Sequence, residues 1–149
     1  MAPISIEIPE CYDEKVQDYD YWVKELERFD ISSETILVRH SFGTGFFLRY
    51  LSENKITIDK LILVAPWFDS EQIHQSFFEF EIDPDITKRA NQVTVIYSTD
   101  DDTEVLQGVA KLKKELPNVE YVEFNNKGHF TLSSLGTEEF PELLNMIMK

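Results

Sequence analysis

Ile36-Leu37-Val38-Arg39-His40-Ser41-Phe42-Gly43-Thr44-Gly45 decides how the rest of the chain is read. A short β-branched run enters a tight turn holding a single Ser, and small residues then open a helical pattern through Phe46, Leu48 and Tyr50. Strand, turn and helix in that order match a nucleophile elbow. There the Ser hydroxyl stands exposed at the tip of the turn and the next backbone N–H, here that of Phe42, faces a developing oxyanion. Small residues two before and two after the Ser let strand and helix approach closely. Gly43 supplies the second, while Arg39 occupies the first, so G-x-S-x-G reads R-H-S-F-G. A structural turn with an incidental Ser fits this pattern too, so the partners of Ser41 must decide.

The flanking chain reads as alternating strands and helices. Ile4-Ser5-Ile6-Glu7-Ile8 alternates apolar and polar residues as a half-covered strand does. From Asp13 to Phe29, Val16, Tyr19, Val23, Leu26 and Phe29 mark one face of an amphipathic helix. Beyond the Gly43–Asn54 helix, Lys60-Leu61-Ile62-Leu63-Val64-Ala65 is a continuous apolar run, typical of a parallel strand buried on both faces. Trp67–Ala90 has no clean period and is rich in aromatics, which predicts a loop with short helices capping a pocket. Val93–Tyr97 and Val119–Phe124 complete the strands. Between them Val105, Val109, Leu112 and Leu116 give a helix its apolar face, and Leu143, Leu144, Ile147 and Met148 do so for the last helix. The expected architecture is α/β: a mostly parallel, five-stranded sheet flanked by helices in a Rossmann-like three-layer arrangement, forming a single domain over residues 1–149.

Composition narrows the function. The net charge of -14 argues against nucleic acid, whose binding rests on Lys and Arg neutralising phosphates. Cys11 is the single Cys, so no internal disulfide forms. No apolar run of about eighteen residues and no signal-peptide pattern is visible, which predicts no membrane span and a cytoplasmic location. Gly43-Thr44-Gly45 is too short a Gly-rich turn to argue for a phosphate-binding module, and neither a metal nor an organic cofactor is expected.

In an open parallel sheet, residues just after the strands converge at one edge. Ser41, the cluster Asp100-Asp101-Asp102 and His129 all stand in such positions, in the chain order Ser, Asp, His of α/β-hydrolase triads. His129 would take the Ser hydroxyl proton, and an Asp would orient the imidazole and stabilise its charged form. His40 adjoins Ser41 and should point away from it, and His74 falls in the cap, so both read as packing or surface residues.

R-H-S-F-G (39–43), L-I-L-V-A-P-W-F-D (61–69), Y-S-T-D-D-D (97–102) and K-G-H-F (127–130) together resemble the small serine hydrolases related to retinoblastoma-binding protein nine, a compact branch of the α/β hydrolases. The resemblance implies Ser41 as nucleophile, His129 as base and an Asp of the triplet as orienter. The family's Ser-x-x-Asp spacing points from Ser98 to Asp101, whereas counting back from Val105 favours Asp102; Asp101 is the residue adopted. Such proteins usually open with an apolar strand and a His-Gly turn that supplies a second oxyanion N–H. Here the chain begins at what corresponds to the second strand, which leaves that donor without a visible source and predicts a loss of about 10²–10³ in turnover. Without that strand and its helix, the helices should gather on one face of the sheet and leave the other to the C-terminal helix, which predicts a rearranged sheet or a homodimer. Arg39 is expected either to push the elbow out of shape or to bend outward to an acid. The leading expectation is an esterase-type hydrolase acting on a small ester or amide; the alternative is an impaired hydrolase fold serving as a protein-interaction module. The retinoblastoma-pocket motif L-x-C-x-E cannot be placed, because Pro9 stands where Leu is required before Cys11.

Overall fold

The computed structural model of the chain describes residues 18–149. Within them β1 (Ile36–His40), β2 (Ile58–Val64), β3 (Ala90–Ser98) and β4 (Glu120–Phe124) lie side by side in chain order, every neighbouring pair parallel. Four strands are therefore seen where five were expected, and the remaining candidate, residues 4–8, lies outside the described residues. The register sets Leu37 beside Leu61 and Val93, and Arg39 beside Leu63 and Val95. Because side chains alternate across a strand, these share one face; Val38, Ile62, Thr94 and Glu120 share the other.

The first face carries the larger core. It receives α1 (Tyr19–Leu26), α2 (Phe42–Asn54) and α5 (Thr103–Glu115), with Trp22, Leu26, Phe46, Leu51, Leu112 and Leu116 packed on Leu37, Leu61, Leu63, Val93 and Val95. The helix predicted over Asp13–Phe29 ends at Leu26 and turns through Glu27; its first residues fall outside the described part of the chain. The Asp18 carboxylate begins α1 by accepting from the amides of Asp20 and Tyr21.

On the second face, Ile62, Val64 and Ile96 meet α7 (Pro141–Met148) through Leu143, Met146 and Ile147. Among the described residues α7 is the one long helix on this side, as the sequence led us to expect. Lys60 shares this face, and its ammonium donates to the carbonyls of Ile147 (3.0 Å) and Met146 (3.4 Å) near the end of α7. A cation at a helix C-terminus faces the negative end of the helix dipole, which explains a Lys inside an otherwise apolar strand. No helix among the described residues is long and apolar enough to cross a membrane.

The predicted cap is a loop with two single-turn helices, α3 (Gln75–Phe78) and α4 (Ile86–Arg89). Its far end is tied to α2 by Asp83, whose Oδ2 accepts from Lys55 Nζ (2.6 Å) and Arg89 Nη1 (2.9 Å). Arg89 Nη2 in turn donates to the Leu51 carbonyl. The Lys55 hydrogen bond, helped by the Asp85 amide, holds the Asp83 carboxyl below its ordinary pKa. A carboxylate with a depressed folded-state pKa contributes stability that is complete above its unfolded pKa and disappears as pH falls through the folded value. Asp83→Asn should thus cost about 1 kcal/mol near neutrality, discounted because Lys55 is exposed, with the difference from wild type shrinking below about pH 4. Urea midpoints of the two proteins across pH 3–7 measure this.

Candidate active site

The turn after β1 forms because the Ser41 amide makes the last bond of the β1–β2 ladder while its carbonyl already accepts from the first turn of α2. The Ser41 amide donates to the Val64 carbonyl of β2 at 2.9 Å, while the Ser41 carbonyl accepts from the Thr44 amide (3.0 Å) and hydroxyl (2.7 Å). Ser41 itself sits at φ 54°, ψ -125°, a region a non-Gly residue keeps only where its surroundings fix it. Phe42 begins α2, so its N–H has no acceptor within the helix and remains at the mouth of the turn.

Arg39 neither distorts this elbow nor bends outward to an acid, which corrects both expectations. Its side chain runs under α2 along the first face, with the guanidinium carbon 5.4 Å from the Trp22 ring and 5.7 Å from the Phe47 ring. No carboxylate among the described residues pairs with it. Cation–π contact takes that place, its Nε is buried without a hydrogen-bond partner, and burial lowers its pKa to about 10. Gly43 makes room: a Cβ there would lie 2.7 Å from Arg39 Nε. The second glycine of the elbow thus accommodates the side chain that replaced the first.

The other two elements arrive from the ends of β3 and β4. After Ser98 the chain turns through Thr99–Asp102; Asp101 points inward with a side chain fully shielded from solvent, and Asp102 becomes the N-cap of α5. Asp101 Oδ1 accepts from the Asp102 amide (2.7 Å) and from His129 Nδ1 (2.8 Å). That partner fixes the tautomer: with the proton on Nδ1, the Nε2 lone pair faces the Ser41 hydroxyl, whose Oγ is 2.9 Å away. Ser41, His129 and Asp101 therefore lie in one continuous hydrogen-bonded chain, and Asp102 stands outside it.

His129 is carried by a loop that β4 delivers and Asp100 fastens. The Asp100 carboxylate accepts from the Ser98 hydroxyl and from the Gly128 amide (3.2 Å), partners that hold its pKa below the ordinary range. Ser98 Oγ accepts from the Lys127 amide. Gly128 has φ +50°, where a side chain would be strained. Nothing in the sequence announces this fastening, because Asp100 reads like any member of an acidic triplet.

A cavity of about 570 Å³ opens over the chain, lined by Ser41, Phe42, Trp67, His74, Asp102, Thr103, Glu104, Val105 and His129. The aromatic cap divides between roles that its composition could not separate. Trp67 stacks on Phe42 at 5.6 Å and lines the cavity, whereas Phe77 is core. Trp67 Nε1 donates to the Glu104 carboxylate, anchoring the indole to α5. His74, expected to be packing or surface, lines the cavity with its ring edge-on to Phe42 at 5.5 Å. Asp101, Asp102 and His129 present three ligand-type atoms within 4.8 Å of one another, so they are where a divalent ion could bind. Both ring nitrogens of His129 are already engaged, Nδ1 by Asp101 and Nε2 by Ser41, which leaves little donor capacity for a metal.

The architecture recurs in known structures. The ydeN gene product of B. subtilis superposes with a TM-score of 0.76 at 23% identity, over 87% of this chain and 73% of that one. The 2-hydroxy-6-oxo-6-phenylhexa-2,4-dienoate hydrolase of Rhodococcus sp. strain RHA1 gives 0.59 at 17% identity, over 96% and 75%. A serine hydrolase from Cycloclasticus zankles gives 0.57 at 16%, over 87% and 69%. At these identities the likeness is one of fold. No curated protein matches the chain. The model of one family does match, over residues 6–149, and the chain therefore belongs to the serine hydrolases.

Proposed function

We propose that this protein hydrolyses a small ester or amide through an acyl-enzyme, with Ser41 as nucleophile, His129 as general base and Asp101 as the residue that orients it. The observation that carries this reading is the unbroken run of hydrogen bonds from Ser41 Oγ through His129 to Asp101, set at the floor of a cavity. His129 Nε2 accepts the hydroxyl proton as Oγ bonds the substrate's carbonyl carbon, and Asp101 stabilises the imidazolium. The Phe42 N–H then faces the oxyanion. Collapse breaks the bond to the leaving group, which takes the proton from His129. Water repeats the sequence: His129 accepts its proton, the hydroxide adds to the acyl carbon, and the acid departs as Ser41 recovers its proton. Residues 39–43 and 127–130 support membership in the branch related to retinoblastoma-binding protein nine.

The test is a short p-nitrophenyl ester. Wild type should release p-nitrophenol with the mass of one acyl group appearing on the peptide containing Ser41. Turnover without an acylated Ser41 would exclude the mechanism.

A further inference from the structure

His40 has no place in the acyl-transfer scheme, does not line the cavity, and yet touches the loop that carries the base. Its Nε2 lies 2.7 Å from the His129 carbonyl oxygen. A carbonyl only accepts, so Nε2 carries the proton and donates. The two imidazoles also pack against each other, 4.7 Å between centroids at 58°. His40 is the last residue of β1 and immediately precedes Ser41. A closed circuit results: the His40–Ser41 peptide, the Ser41 Oγ to His129 Nε2 bond, the backbone of His129, and the return bond to His40.

The loop needs such a tie. His129 stands between two residues of positive φ, Gly128 at 50° and Phe130 at 54°, and the second of these is unfavourable for a side-chain-bearing residue. From the β3 side, Asp100 and Ser98 hold Lys127 and Gly128. Those contacts stop one residue short of His129 and lie on the strand that carries the acid. The bond from His40 comes from the opposite side, from the strand that carries the nucleophile.

We propose that His40 is a positioning residue: by donating to the His129 carbonyl it sets the distance and angle between His129 Nε2 and Ser41 Oγ. This rests on the function proposed above. Desolvation of the ring lowers the His40 pKa from its ordinary value, which favours the neutral imidazole. The Gln amide is thus a charge-matched replacement able to offer an N–H from a similar distance, while Phe keeps the bulk and loses the donor.

Wild type, His40→Gln, His40→Phe and His40→Ala are compared by steady-state hydrolysis of p-nitrophenyl acetate and by the second-order rate of fluorophosphonate labelling, with thermal melts alongside. A displacement near 1 Å in a reacting pair costs on the order of 10²-fold. His40→Phe and His40→Ala should therefore lose about 10- to 100-fold in kcat and in labelling rate at little change in KM, since the cavity lining is untouched. His40→Gln should recover to within a few-fold of wild type. If His40→Phe matches wild type, or His40→Gln is no better than His40→Ala, the donor role is overturned and the proposed function stands. If wild type itself neither turns over nor labels, the function fails, and the positioning role fails with it.

Discussion

Asp101→Asn should lower kcat by about 10⁴-fold, while Asp102→Asn stays within a few-fold of wild type. Asn at position 101 can offer His129 Nδ1 an N–H instead of an acceptor, which places the imidazole proton on Nε2 and leaves Ser41 facing a donor. Geometry survives this change and the tautomer does not. The Asp102 side chain has no bond to His129; it begins α5 and lines the cavity from an exposed position. Initial rates on a p-nitrophenyl ester measure both variants. Equal losses, or a larger loss in Asp102→Asn, would move the orienting role to Asp102.

Phe77→Ala should carry the largest stability effect, about 3–5 kcal/mol. Phe77 is 1% exposed and its ring meets those of Tyr19, Trp22, Phe42, Phe46 and Phe78 at 4.8–6.2 Å. Removing it empties the junction where the cap rests on α1 and α2, next to Phe42. A domain stable by 5–15 kcal/mol would lose a large fraction of its margin. Ile73→Ala, in the same segment but 67% exposed, should fall within about 0.5 kcal/mol of wild type. Urea denaturation of the two variants makes the comparison; similar losses would mean that the cap is not anchored through Phe77.

What the sequence disclosed follows from which constraints are local. Leu61–Val64 and Val93–Tyr97 are covered on both faces, and such strands read as near-continuous apolar runs, broken here only by Thr94, whose hydroxyl donates to Glu120. The terminal strand β4 is covered less completely, and its partly buried Tyr121, Val122 and Phe124 with exposed Glu120 and Glu123 still read as a strand. Convergence of Ser41, the acidic turn and His129 followed from their place after parallel strands. The choice between Asp101 and Asp102 did not, because it depends on where the turn becomes helix: Asp102 takes the N-cap, and the chain direction there leaves Asp101 facing His129. Arg39 was misread for a related reason. Its packing partners, Trp22 and Phe47, come from different helices and nothing in R-H-S-F-G announces them. The single turn α6 (Leu132–Leu135) was missed because four residues carry no period. A reciprocal box between Thr131 and Ser134 begins it, and Gly136 ends it.

Fluorophosphonate labelling at near-neutral pH, with wild type beside Ser41→Ala, reads out whether Ser41 is an activated nucleophile. Wild type should label stoichiometrically at Ser41 and the variant should not label. Folded wild type that stays unlabelled, or labelling that persists in Ser41→Ala, would contradict that role.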